Sequence, residues 1–325
     1  MHPAFSVIFL TTLIGAGQGL FLALYTGQVY ALANFLPAQQ ADFYALGSLT
    51  ALGLLLAGLF ASFFHLGRPE RAWRTPARWQ SSWLSREVLL LPLVIVLIGG
   101  YGLTHWMGYT QPFFTLGDWL KVDPTLLIGL ATTLATFALF VCTAMVYAGV
   151  PFPEEWRSPL TVANFTLFGL SSGFLLATAY AAYSGIDLVS VYGIWAVIFT
   201  VLALLSRFSS LHRNAHLKPR STVQSAIGVR HQAVLQKAQG ATGGSFNTRE
   251  FFHGQSPATL RLVRITFLTL VFPVPLLLLG GAYLTRFETL AILAFLTQYL
   301  GLVLERWYFF AEARHPQNLY YQSVA

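Results

Sequence analysis

The chain has 325 residues, of which 55% are hydrophobic, 15% aromatic and 10% charged. Soluble domains carry roughly 25% charged residues, and 19 Lys and Arg with 12 Asp and Glu cannot clothe a water-facing surface of this size. The composition excludes a soluble enzyme, a disordered chain and a nucleic-acid binder, although the net charge is +7 and the isoelectric point about 9.6.

A bilayer core of roughly 30 Å needs about 20 apolar residues as helix. Eight such stretches follow in chain order, at about 5–34, 43–65, 86–106, 125–149, 160–182, 187–207, 260–284 and 287–311. The expected fold is an all-α integral membrane protein of eight spans, one membrane domain over 1–325. The first span is not expected to be a cleaved signal, because Met1-His2-Pro3 offers no basic n-region and the apolar run is too long. Pro92, Pro273 and Pro275 fall inside spans, where neighbours can satisfy the freed backbone groups.

Eight spans put both termini and loops 2–3, 4–5 and 6–7 on one side. That side holds 17 of the 19 Lys and Arg; only Lys121 and Arg286 lie on the other. The positive-inside rule makes it cytoplasmic, so the basic isoelectric point reflects topology. Two sequence echoes suggest four-helix halves in parallel repeat. LPLVIVLIGGYGLT at 91–104 resembles FPVPLLLLGGAYLT at 272–285, and GLFLA at 19–23 resembles GFLLA at 173–177.

The sizeable polar segment is loop 6–7, about 208–259. Its basic run from His212 to Arg220 precedes a predicted short helix over 222–239 and a glycine-rich stretch. A docking arm for a partner is favoured over a plain loop, with Arg213, Arg220, Arg230 and Arg249 as candidate contacts.

The densest polar stretch is His65-Leu66-Gly67-Arg68-Pro69-Glu70-Arg71-Ala72-Trp73-Arg74, running on through Arg78, Trp79 and Trp83 to Arg86-Glu87. An interfacial segment accounts for most of its Arg and Trp. It accounts poorly for His65 and Glu87, since ionisable groups at span edges are candidates for function and histidine exchanges protons near neutral pH. A quinone headgroup needs a hydrogen-bond donor, a proton route and an aromatic slot; His65, Glu87 and Trp83 are of those types. Arg71 and Arg86 are expected to position Glu87 or a partner, and Arg68 and Arg74 to face that partner. Gln18, among glycines in the first span, suits helix packing better than a ligand cavity. Glu305 and Arg306, adjacent in sequence, are expected not to face each other; Glu305 would pair with a distant arginine, such as one in loop 2–3.

Intramembrane haem is not expected. Of eight histidines only His65 and His105 touch spans, at opposite ends of their helices. The single cysteine, Cys142, excludes a disulfide framework, cysteine-ligated zinc and an iron–sulfur cluster held by this chain alone.

Residues 1–24 (MHPAFSVIFLTTLIGAGQGLFLAL), His65 to Trp73, Ser82 to Glu87 and Glu305 to Arg314 together resemble the DmsC-type anchor subunits of the dimethyl sulfoxide reductase family. The resemblance covers essentially the whole chain. It implies a bacterial inner-membrane anchor without haem, bound to a molybdopterin catalytic subunit and a ferredoxin-like iron–sulfur subunit. It also implies exchange of electrons with a membrane quinone, menaquinone or ubiquinone, with His65 and Glu87 at the quinol site. Residues 227–231 and 243–254 look like the branch serving cytoplasmic sulfite oxidation. A transporter, suggested by the repeat, and a purely structural anchor are the competing readings.

Overall fold

The computed structural model describes residues 3–116, 120–184, 188–218, 222–231, 233–235, 237, 253–285 and 287–314. The helices are α1 (Phe5–Leu32), α2 (Ala41–Ser62), α3 (Trp83–Trp106), α4 (Pro124–Ala148), α5 (Pro159–Tyr183) and α6 (Val189–Ala215). There follow a short α7 (Val223–Ile227), then α8 (Pro257–Val271), α9 (Pro273–Thr285) and α10 (Thr289–Glu312). With α8 and α9 taken as one broken span, eight helical segments among the described residues are long and apolar enough to cross a membrane. Two 3₁₀ segments, Phe63–His65 and Pro69–Arg78, join α2 to α3. A small antiparallel ribbon of β1 (Phe114–Leu116) and β2 (Leu120–Val122) precedes α4.

The helix starts are written in local chemistry. Asp123, Ser158 and Ser256 each accept a hydrogen bond from the first turn of α4, α5 and α8, and proline follows each at the first helical position. A cap oxygen satisfies an orphan N–H there, and proline has none to lose. Gly108, at φ 71°, closes α3 in the left-handed region.

Burial identifies the centre. Two thirds of the apolar window of α1 and of α5 is buried, against 28–39% for the other spans. Helix α1 packs on α2 and α5, and α5 on α6; α4 and α10 each touch both central helices. Gly15 meets Gly169 and Gly19 meets Gly173, in matching order, so α1 and α5 cross in parallel. A β-carbon at Gly19 or Gly173 would enter the other's backbone, the close approach that small residues permit in membranes. Both glycines open the echoed five-residue runs.

Three sequence expectations change. Among the described residues of the predicted helix at 222–239, Val223–Ile227 is helical, and Gly228, left-handed at φ 73°, ends it. Helix α6 continues to Ala215, so loop 6–7 starts later than 208. Glu305 pairs with a distant arginine as expected, its carboxylate 2.9 Å from Arg207 Nε on α6, but it also pairs with its neighbour, 2.9 Å from Arg306 Nε. A carboxylate has two oxygens, and two long guanidinium arms reach it from different sides; no loop 2–3 arginine is involved.

Span seven breaks at Phe272. Pro275 has no N–H for the carbonyl of Val271, and Gln298 of α10 donates to that carbonyl instead, at 3.3 Å. At the end opposite the arginine-rich loop, Tyr101 donates to Gln28 (2.7 Å), Gln28 to Thr125 (2.5 Å) and Thr125 to Asp123 (2.6 Å), tying α1, α3 and α4. His105, buried, stacks there on Tyr44 and meets the Tyr101 ring edge-on.

Candidate functional site

Glu87 sits one turn into α3, near the arginine-rich end of the bundle. Its Oε1 accepts from Thr143 of α4 at 2.8 Å, and no ion-pair partner reaches it among the described residues. The carboxyl lines a small cavity walled by α1, α3, α4 and α5. Leu10, Thr11, Ile14, Gly15 and Gln18 recur at helical spacing and supply one face of α1; Phe140 and Phe165 supply aromatic walls. Gln18 is buried and donates to the carbonyl of Thr136 at 3.3 Å. It therefore both packs and lines the cavity, so the packing expectation covers half of its position.

The structure brings Glu87 and Gln18 together, and leaves the other sequence candidates outside that wall. His65 ends the 3₁₀ turn Phe63–His65, exposed, with the turn packed on α1 at the same end of the bundle. Trp83 opens α3, and Arg86 lies over its ring at 4.3 Å. Arg86 also donates to the carbonyls of Trp79 (2.9 Å) and Gln80 (2.7 Å), so it pins the loop rather than Glu87. Arg71 lies 3.9 Å from Glu70 and both are exposed, a pair of little energetic weight.

Of the docking candidates, Arg68, Arg74 and Arg230 are exposed. Arg74 stacks over the exposed ring of Trp73 at 5.2 Å. Arg213 is engaged inside the chain, donating to the carbonyls of Glu154 and Arg157. Arg220 and Arg249 lie outside the described residues.

A second small cavity lies beside the first and shares Thr11, Gly15 and Phe165 with it. Its charged wall is Arg306, whose guanidinium lies over Phe165 at 3.9 Å. Sequence reasoning missed this residue, along with Thr143, Phe140 and Phe165. The latter three look like ordinary span positions, and only their convergence on Glu87 marks them. The run Glu305-Arg306 inside an apolar span was the one available signal.

A bundle of eight spans, basic at one face, with a carboxyl-bearing cavity opening near that face, defines a multi-pass membrane subunit rather than a soluble catalyst. The chain belongs to the DMSO reductase anchor subunit (DmsC) family, whose model matches residues 1–321. It is 65% identical over 325 residues, the full length of both chains, to a sulfite dehydrogenase subunit of Allochromatium vinosum. Both findings agree with the family resemblance carried by the His65 and Glu87 segments.

Proposed function

We propose that this chain is the quinone-reacting anchor of a sulfite-oxidising complex in the bacterial inner membrane, with termini and loop 6–7 in the cytoplasm. A molybdopterin subunit and a ferredoxin-like iron–sulfur subunit dock on the arginine-rich face. The observation that carries the reading is the cavity holding Glu87, Thr143 and Gln18 at that face.

The cavity fits a quinone headgroup by chemistry. Small-molecule sites are mostly apolar with a few placed polar groups, and this cavity has aromatic walls and one carboxyl. A bound quinone takes up electrons and protons together. Glu87 holds a proton beside the ring, oriented by the Thr143 hydroxyl. Gln18 fixes the side of α1 against which the ring lies. His65, exposed at the same end, passes protons between water and the cavity mouth. Arg86 keeps the loop of Trp79 and Gln80 in place beside the iron–sulfur partner. The transporter reading lacks a counterpart: the buried charged groups Arg207, Glu305 and Arg306 gather toward one end of their helices, not at midplane.

The test uses the assembled complex. Glu87→Gln and His65→Ala should each lower quinone-linked sulfite turnover by about 100-fold, the usual weight of a proton-transfer group, while artificial dyes still accept electrons from the partner subunits. Normal quinone kinetics in Glu87→Gln would remove Glu87 from the site.

A further inference from the structure

Arg306 is 3% exposed, inside an apolar helix, and its Nη1 has no hydrogen-bond partner among the described residues. Its Nε faces Glu305, and Glu305 in turn faces Arg207, so the ion pair accounts for one side of the guanidinium only. A buried N–H without a partner is costly. The residue lines a cavity with Thr12, Phe168, Ser172 and Leu302.

That cavity is the repeat counterpart of the first. Moving 154 positions along the chain takes Thr11, Ile14, Gly15 and Gln18 of the first wall to Phe165, Phe168, Gly169 and Ser172 of the second. The counterpart of Glu87, 181 positions on, is Leu268. One lobe thus holds a carboxyl without a cation, and the other a guanidinium with a donor to spare. Tyr147, packed on Phe165, lies within electrostatic reach of both Glu87 and Arg306, so the two lobes are close.

We propose that the two cavities are one bilobed site, in which Arg306 Nη1 donates to the quinone carbonyl farther from Glu87. The inference rests on the quinone reading above. A ring with two opposed carbonyl oxygens, laid along the shared wall of Thr11, Gly15 and Phe165, presents one oxygen to each lobe. A hydrogen bond from a charged donor fixes the ring's orientation as well as its affinity.

The experiment uses the detergent-purified complex and ubiquinone-1 as probe, with ¹³C at one or the other ring carbonyl. Infrared difference spectra of the wild-type complex should show the carbonyl far from Glu87 shifted to low frequency. Arg306→Gln should abolish that shift and raise the KM for ubiquinone-1 about 10- to 100-fold, the weight of one charged hydrogen bond. Arg306→Lys should restore part of both. An unchanged carbonyl band and KM in Arg306→Gln, with Glu87→Gln altering both, would overturn the bilobed site and leave the Glu87 cavity standing. No effect from either variant would overturn the quinone reading itself. If Arg306→Gln does not assemble, Ser172→Val narrows the second lobe and leaves the ion pair intact. A raised KM there supports the site, and an unchanged one overturns it.

Discussion

Gly19 and Gly173 lie backbone to backbone where α1 crosses α5, and each occupies the space a β-carbon on the other would need. The contact sets the separation of the two central helices, and both cavities are bounded by those helices. Gly173→Ala forces backbone apart rather than a flexible side chain aside. It should cost about 1–3 kcal/mol, the range for overpacking, read as a lower unfolding midpoint in detergent. Gly53→Ala, where the added carbon meets nothing within 4 Å, is the matched control and should leave the midpoint in place.

Thr143 gives Glu87 its one side-chain hydrogen bond. Thr143→Val keeps the shape and removes the donor. The carboxyl then turns without a fixed direction, and quinone-linked turnover should fall about tenfold, with a smaller change than Glu87→Gln produces. Steady-state kinetics on the two variants side by side measure the order.

Glu305 holds two buried cations. Glu305→Gln leaves Arg207 and Arg306 facing each other in an apolar setting, with Glu312 3.7 Å from Arg207 as the remaining anion. Breaking a buried pair from one side costs about 3–5 kcal/mol. Replacing Glu305, Arg207 and Arg306 together by Met should recover most of that loss. Chemical unfolding of the three forms in detergent checks both statements.

Arg86 is the pin of the loop before α3, through two carbonyls and the Trp83 ring. Arg86→Leu frees both carbonyls. Amide hydrogen exchange over 79–82 should quicken by at least about tenfold, since each bond to a charged donor is worth roughly 1.5–3 kcal/mol.

The spans were legible because bilayer hydrocarbon imposes length and apolarity directly on sequence. The contact between the two central glycines was foreshadowed by the GLFLA and GFLLA echo. The cavity was half legible: Glu87 stood out as an ionisable group at a span edge, but Gln18 satisfies a packing role and a lining role together, and sequence offers no means to see both. Thr143 and Phe140 belong to a helix whose pattern is uniformly apolar, so which face meets Glu87 is decided only by packing. The Glu305–Arg306 pair was misjudged because the spacing rule for helix neighbours describes solvent-exposed side chains at equal reach. Inside the bundle, burial presses two guanidiniums onto one carboxylate from adjacent positions.

Arg207 belongs to the sixth span and its counter-charge Glu305 to the last, 98 positions later in the chain. During synthesis the cation is therefore made long before the anion that neutralises it. The sixth helix thus depends on the eighth for the neutralisation of its buried charge, and the same eighth helix brings Arg306 to its place beside the central glycines.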